Sequence, residues 1–438
     1  MIPPADDSFP ARAEIAASQL AQLCRLLGAL VPANPFYTRK FSQAGAGATV
    51  ASLDEFAGRF PFTTKPELAD DQRAVPPYGT NLTFPLERYT RFHQTSGTTG
   101  APLRWLDTPE SWDWMVGNWT EILRAAGATG ADRVFFAFSF GPFIGFWLAY
   151  EAAQRIGCLS IPGGGLSSTA RLRVMLDSGA TILCCTPSYA ARLAEVAAEE
   201  KIDLRSSRVK TIIVAGEPGG SIPALRAQLQ KLWHGARVFD HHGMTETGPV
   251  TYECPARPGI LHVLEPDYFA EVIDPASGEP ARPGSRGELV LTTLGRVGSP
   301  VLRYRTGDVV QPIHRPSPIH HQPCACGRHT LALEGGILGR VDDMIIVRGV
   351  NIFPGAVEDI IRACGDVAEY QITVSTEHSL TQLRIDIEPV PGCVDPSGVV
   401  KRLEQGFQDA FALRVPVRRL ATGTLPRFEM KAKRWIKL

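Results

Sequence analysis

The hexapeptide Thr95-Ser96-Gly97-Thr98-Thr99-Gly100 crowds hydroxyl side chains and glycines into one turn behind the short apolar run Tyr89 to Phe92. Glycines let backbone N–H groups approach an anion closely, and hydroxyls add donors without bulk, so the segment can cradle phosphate oxygens. It lacks the Gly-Lys-Ser/Thr ending of a Walker loop, and on its own such a cluster reads first as an ordinary turn. Two carboxylates stand in comparable settings. Glu246 follows a turn containing Gly243 and suits a hard divalent cation; Asp308 follows Gly307 and can accept from two vicinal hydroxyls at once. Taken singly, they are a solvated loop acid and a turn cap. Thr245 offers a hydroxyl to a phosphate or to its own turn, and Arg340 offers a permanent cation to phosphate or ribose oxygens. Lys431 lies in the basic run Pro426 to Arg434, with Lys433 as its rival, in a pattern that is usually a solvated face. Cys254, His262, Cys324 and Cys326 supply three sulfurs and one imidazole, a set that suits tetrahedral zinc, with His314, His320, His321 and His329 as competing ligands.

Such side chains need a scaffold of more than one core. At 438 residues the chain exceeds the size at which a single core keeps growing, so at least two domains are expected. Hydrophobic residues at 44% and charged residues at 21% are ordinary for a globular protein and exclude a long disordered tract. Lys plus Arg (45) balance Asp plus Glu (45), so no global field draws a nucleic acid or an anionic membrane, and neither is expected as a partner. No run approaches the roughly 20 apolar residues that span a bilayer, and the first residues do not read as a signal peptide. Nine cysteines are too sparse for a secreted disulfide scaffold, which leaves a reduced, cytoplasmic protein as the expectation.

Residues 11 to 32 place Ile15, Leu20, Leu23, Leu26, Leu27 and Leu30 near helical spacing, giving an amphipathic helix that acts as a cover or as the contact of a homodimer. From Val134 onward, the short apolar runs Val134 to Phe138, Cys158 to Pro162, Thr181 to Cys185 and Thr211 to Ala215 alternate with helix-like segments. That alternation predicts parallel strands joined by helical crossovers. After Gly259 the strands Tyr268 to Ile273 and Gly287 to Thr292, separated by Pro and Gly turns, predict a smaller β subdomain. Beyond Gly339, strand-like Met344 to Arg348 and Leu383 to Ile387 and helix-like Pro354 to Ala363 and Ser397 to Phe411 form a compact unit. The expected fold is α/β: a large N-terminal domain (1–341) of wound α/β sheets plus the β subdomain, then a small, mobile α+β C-terminal lid (342–438).

Five segments in fixed order resemble the signature set of the adenylate-forming superfamily, which contains acyl-CoA synthetases, luciferases and peptide-synthetase adenylation domains. They are the glycine loop, Ala215-Gly216-Glu217-Pro218, His241 to Thr247 behind Asp240, Tyr304-Arg305-Thr306-Gly307-Asp308, and Gly339-Arg340-Val341-Asp342-Asp343. Phe138 to Gly145, Ile161 to Gly165, Thr186 to Tyr189 and Arg348 to Pro354 sharpen the resemblance to the phenylacetate-CoA ligases, from about residue 30 to the end.

The resemblance implies an ATP-dependent ligase that converts a small carboxylic acid, aryl or arylacetic, to acyl-AMP and passes the acyl group to the thiol of CoA. Two alternatives stay open: transfer to a carrier protein, and a nucleotide-binding homologue without chemistry. By the same resemblance the glycine loop, Gly216, Glu217, Pro218, Asp240, His241, His242, Asp308 and Arg340 bind nucleotide. Glu246 holds Mg2+, Thr245 meets the adenylate phosphate, and Lys431 is the C-terminal catalytic lysine. Asp342 is the hinge of the lid, and Arg348 and Gly349 line the thiol tunnel. Phe138, Phe140, Gly141 and Phe143, with Phe146 beside them, form the acid pocket, and the Cys/His set is a zinc site. The chain departs from the pattern at His242, where a tyrosine stacks on adenine, at Ala101, where a lysine follows the loop with Arg104 here as the nearby cation, and at Met430, where a glycine precedes the lysine. Phe138, Phe140 and Phe146 replace tyrosine or glycine, which implies a drier, smaller pocket.

Overall fold

The computed structural model describes residues 9–95, 102–313, 323–342, 345–347, 350–352, 354–377, 380–428 and 432–437. A ribbon of β1 (Arg91–Gln94) and β2 (Arg104–Asp107) precedes the main sheet, which comprises β3 (Arg133–Phe136), β4 (Leu159–Pro162), β5 (Ile182–Cys185), β6 (Thr211–Val214) and β7 (Arg237–Asp240). The order is β4-β3-β5-β6-β7, every neighbouring pair parallel. Helices Trp147–Ile156, Ser168–Asp177, Pro187–Glu199 and Pro223–Leu232 make the four crossovers in turn, as parallel pairing requires. Local signals start them: Thr186 accepts from Tyr189 N with Pro187 at the first helical position, and Ser167 accepts from Ala170 N.

Side chains alternate between the two faces of this sheet with the period of a strand. Phe136, Ile182, Cys184, Ile213 and Phe239 join the core beneath helix Pro109–Ala125. Phe135, Leu183, Cys185, Ile212 and Val238 join the core on the opposite face. Cys184 and Cys185 are thus fully buried on opposite sides, where burial pushes both thiols up and leaves them inert.

The β subdomain is antiparallel. One sheet joins Thr251–Glu253, Ile260–Val263 and Ala332–Glu334; a second runs Tyr268–Ile273, Gly287–Thr293, Tyr304–Val310 and Gly339–Arg340. The N-terminal helix Arg12–Leu30 buries Leu23, Leu26, Leu27 and Leu30 with Phe36, Tyr37, Phe56 and Tyr304, so it serves as a cover. The C-terminal region has its own core around Ile361, Tyr370, Ile385 and Phe407. Its sheet runs Val417–Arg419, Leu380–Pro389, Val367–Glu377 and Trp435–Lys437, with an antiparallel centre and parallel edges. Helix Pro354–Ala363 rests on Pro223–Leu232 of the large body. Among the described residues no single helix is long and apolar enough to cross a membrane.

Candidate active site

Every signature segment of the α/β part leaves the carboxyl end of a strand of one sheet. Phe138 to Gly145 follows β3, Gly163 to Gly165 follows β4, Thr186 to Tyr189 follows β5, Ala215 to Pro218 follows β6, and His241 to Thr247 follows β7. The crevice outside the carboxyl ends of parallel strands is where such sheets bind ligands, because the loops converge there.

Glu246 is buried at one wall of this crevice. Its Oε1 lies 3.4 Å from the Tyr304 hydroxyl and 3.2 Å from Lys65 Nζ, while its Oε2 accepts from no described residue. Burial, then the charge of Glu246, pushes the Tyr304 phenol well up, so it remains a donor. The backbone carbonyls of Thr245 and Glu246 both accept from Arg296 Nη1, at 2.7 and 3.0 Å. Arg296 has no exposed surface, forms a two-bond fork with Asp107 at 2.7 Å each, and stacks 5.1 Å over Trp105. An always-charged fork satisfied on three sides fixes the path of the Thr245–Glu246 turn. Arg296, Asp107 and Lys65 carried no sequence signal; Lys65 reads only as the start of a helix capped reciprocally by Thr64 and Glu67.

Asp308 pairs with Arg340 across antiparallel strands. Asp308 Oδ2 lies 3.1 Å from His242 Nε2, yet neither atom makes a hydrogen bond and both are buried. Orphaned buried polar atoms of this kind fit a ligand hydroxyl. Arg340 reaches Asp308 Oδ1 at 3.4 Å and Asp342 Oδ1 at 2.9 Å, so one guanidinium joins Asp308 to the expected hinge. Gly307 is required here: φ is 76°, and a Cβ would sit 2.8 Å from Arg340 Nη2. A cavity of about 870 Å³ runs past Thr95, Lys65, Arg104, Tyr304, Gly307 and Arg340 to Asp342, room enough for a nucleotide-sized ligand. Arg104 donates to Pro77 O, so Lys65 rather than Arg104 is the cation beside Glu246.

Asp240 and His241 turn inward. Asp240 accepts from Ser221 Oγ at 2.5 Å and His241 N at 2.9 Å, and burial pushes its carboxyl up to about 6. The His241 ring lies 4.4 Å from Trp119. Trp119 leads to Phe146, Phe138 and Phe140 at centroid spacings of 5.9, 5.7 and 5.6 Å. The Phe138 ring leaves no room for a Cβ on Gly145, and Trp147 Nε1 donates to Gly141 O at 3.1 Å. Phe143 is half-buried and packs beside Gly141.

The C-terminal region meets the crevice through Glu217. Its Oε1 accepts from Ser188 N at 2.7 Å and its Oε2 from Ala432 N at 2.9 Å. Gly216 beside it takes φ of 93°. Arg434, buried, donates to Glu369 at 2.6 Å and to Ser188 Oγ at 3.1 Å. Ser96, Gly97, Thr98, Thr99, Gly100, Ala101, Arg348, Gly349, Met430 and Lys431 lie outside the described residues.

A second cluster lies on the β subdomain. The ligand atoms of Cys254, His262, Cys324 and Cys326 all fall within 4.8 Å of one another. Cys254 and Cys324 sulfurs are 3.7 Å apart, and Cys326 Sγ is 3.4 Å from His262 Nε2. Thr330 Oγ1, 3.0 Å from His262 Nδ1, orients the ring. His329 is not in the cluster, and His314, His320 and His321 lie outside the described residues.

Residues 92–295 match the family of AMP-binding enzymes, and residues 349–438 match the AMP-binding enzyme C-terminal domain. A phenylacetate-coenzyme A ligase of Thermus thermophilus is 32% identical over 391 residues, covering 89% of this chain and 84% of that protein. The chain belongs to the phenylacetate-coenzyme A ligase family. The ligase of the same name from Escherichia coli is 29% identical, covering 91% of this chain and 89% of that one. Among solved structures, a 2-hydroxyisobutyryl-CoA ligase in its postadenylation state, in complex with R3-HIB-AMP, matches this phenylacetate-coenzyme A ligase homologue with a TM-score of 0.91. The two are 27% identical over 100% of this chain and 94% of that one. The same enzyme in its thioesterification state, with 2-HIB-AMP and CoA, gives a TM-score of 0.73 at 28% identity over the same shares. The arrangement of this family member is thus nearer to the postadenylation form of that ligase than to its thioesterification form.

Proposed function

We propose that this ligase joins an organic acid to CoA in two steps within one crevice. A carboxylate oxygen of the acid attacks the α-phosphorus of ATP, the bond to pyrophosphate breaks, and acyl-AMP forms; the CoA thiol then attacks the acyl carbon and AMP leaves with the electron pair. Carboxylates are poor electrophiles, and adenylation supplies the leaving group that the thiol needs. The observation that carries this reading is a cavity lined by Tyr304 and Arg340, which touch Glu246 and Asp308 from two separate motifs, while Glu217, from a third, holds the residue next to Lys431.

In this reading Asp308 accepts the ribose hydroxyls, and His242, beside it, lies at the adenine edge. The glycine loop cradles phosphate with Lys65 standing in for the lysine absent at Ala101. Glu246 would hold Mg2+, which supplies charge neutralisation at the phosphates. Lys431 brings its ammonium to the charge that develops during adenylation. The lid is residues 342–438, hinged at Asp342, where release of the Arg340 fork frees the backbone to turn. After the turn, Arg348 and Gly349 line the thiol tunnel. Cys254, His262, Cys324 and Cys326 hold a structural zinc. The acid has an apolar tail that fits between Phe138, Phe140 and Phe143.

An acid screen scoring pyrophosphate and AMP, with CoA as sole acceptor, tests the reaction. Acid-dependent pyrophosphate release with CoA-dependent AMP release is expected; AMP release that needs a carrier protein redirects the second step. Lys431→Ala should abolish pyrophosphate release while sparing thioester formation from supplied acyl-AMP, and loss of both or of neither rejects that role.

A further inference from the structure

His241 stands at the mouth of β7, where the loops of the crevice meet, in a setting made of aromatic rings. Trp119, at 4.4 Å, covers one side of its imidazole, and through Trp119 it joins Phe146, Phe138 and Phe140. Its Nδ1 lies 2.7 Å from the carbonyl oxygen of Thr251. A carbonyl oxygen only accepts, so Nδ1 carries the ring proton and Nε2 carries the lone pair. The ring is held neutral, because burial drags its pKa down to about 3. Nε2 is therefore a fixed acceptor, and no described residue donates to it.

Among the described residues Thr251 is the hydrogen-bond partner of the imidazole, through Nδ1, so the second nitrogen is left for a donor on a ligand. Resting on the acid-activating reading above, we infer that His241 is a specificity residue whose Nε2 accepts a hydrogen bond from a hydroxyl on the acyl group of the acid. The substrate class is thus hydroxy acids with an otherwise apolar skeleton. A hydroxyl suits the site better than an ammonium, because the one adjoining carboxylate, Asp240, is already engaged by Ser221 Oγ and His241 N and the rest of the setting is aromatic. The preference has a physical asymmetry: a site that hydrogen-bonds a substrate hydroxyl discriminates strongly against the analogue without it, because its own polar atom is then left unpaired.

The test uses the full-length enzyme with ATP and Mg2+ and acids in matched pairs. The pairs are isobutyrate with 2- and 3-hydroxyisobutyrate, and phenylacetate with mandelate and 4-hydroxyphenylacetate. Pyrophosphate release should favour at least one hydroxylated member over its partner by about 10-fold or more in kcat/KM. His241→Phe should pull that ratio down by about 10-fold, whatever its absolute rate. Pyrophosphate release that treats every pair alike in the wild-type enzyme overturns the inference without any variant. An unchanged ratio in a folded His241→Phe enzyme overturns it as well. Release from no acid at all would instead overturn the ligase reading, a separable result.

Discussion

The carboxylate of Glu217 accepts the backbone N–H of Ala432 at 2.9 Å, so a residue of the large body grips the chain beside Lys431. Its other oxygen takes Ser188 N at 2.7 Å, which also presents its hydroxyl to Arg434 at 3.1 Å. The contacts of Ala432 and Arg434 thus tie the C-terminal region to the large body in the arrangement that matches a postadenylation relative at a TM-score of 0.91, and the lid rotation proposed above would break both.

Glu217→Ala should therefore injure adenylation selectively. Hydrogen bonds to a charged acceptor contribute about 1.5–3 kcal/mol each, so loss of the lid tie slows acid-dependent pyrophosphate release about 10- to 100-fold. Thioester formation from supplied acyl-AMP should be far less affected. Equal loss in both assays would show that Glu217 supports the fold rather than the lid position.

Arg296 and Asp107 form a charge pair with no exposed surface on either side chain. Breaking a buried pair strands the remaining charge, typically at about 3–5 kcal/mol. Arg296→Met should destabilise the protein by that order in urea unfolding, and Asp107→Leu added to it should restore much of the loss. Activity should not return with stability, because the Thr245 and Glu246 carbonyls have still lost their donor. Recovery of pyrophosphate release in the double variant would show that the turn needs no such clamp.

His93 stacks on Trp112 with ring centroids 5.1 Å apart, and its buried Nδ1 has no hydrogen-bond partner. Burial lowers its pKa to about 4 against an ordinary 6.5. The unfolded chain thus binds a proton before the folded one does, and the stability present above pH 6.5 is lost as pH falls toward 4. His93→Gln carries no such penalty, so the gap between wild type and variant should close on acidification, by up to about 1.4 kcal/mol per pH unit in that window. Urea midpoints at pH 6.5 and 4.5 measure it; parallel shifts of both proteins would contradict it.

Much of this was legible beforehand. The alternation of short apolar runs with helical segments marks the parallel sheet and its crossovers, and the helix expected over Pro354–Ala363 has those same ends in the structure. Strand β7 was missed because Arg237–Asp240 has only two apolar residues before its acid, and the long helix Pro109–Ala125 because tryptophans and polar residues mix on its faces. Strand β3 stops at Phe136, two residues short of the predicted end, where the chain turns and Phe140 takes φ of 52°. Motif residues such as Glu246 and Asp308 could be named from order alone. Lys65, Asp107 and Arg296 could not, since their partners lie far away in sequence and nothing local marks a contact across 189 residues.

The Cys/His cluster gives the last prediction. Its four ligand atoms come from two loops: Cys254 and His262 from one hairpin, Cys324 and Cys326 from a turn that Gly327 closes at φ of 84°. Four N and S atoms within 4.8 Å match the size of a tetrahedral zinc shell, and a hydroxyl on the far ring nitrogen sets the imidazole as ligating histidines require. The hairpin is buried in the core while Cys324 and Cys326 sit on a half-exposed turn, so an ion here would stabilise the subdomain by cross-linking the turn to the hairpin. Protein purified without added metal should contain about one zinc per chain by elemental analysis, the count that a single four-ligand site allows. Cys326→Ser, or prolonged treatment with a chelator, should lower the melting temperature by several degrees, at roughly 2–4 °C per kcal/mol for a domain of this size. The active-site crevice should persist, since none of its walls depends on these residues; a stoichiometry near zero together with melting unchanged by chelator would remove zinc from the account.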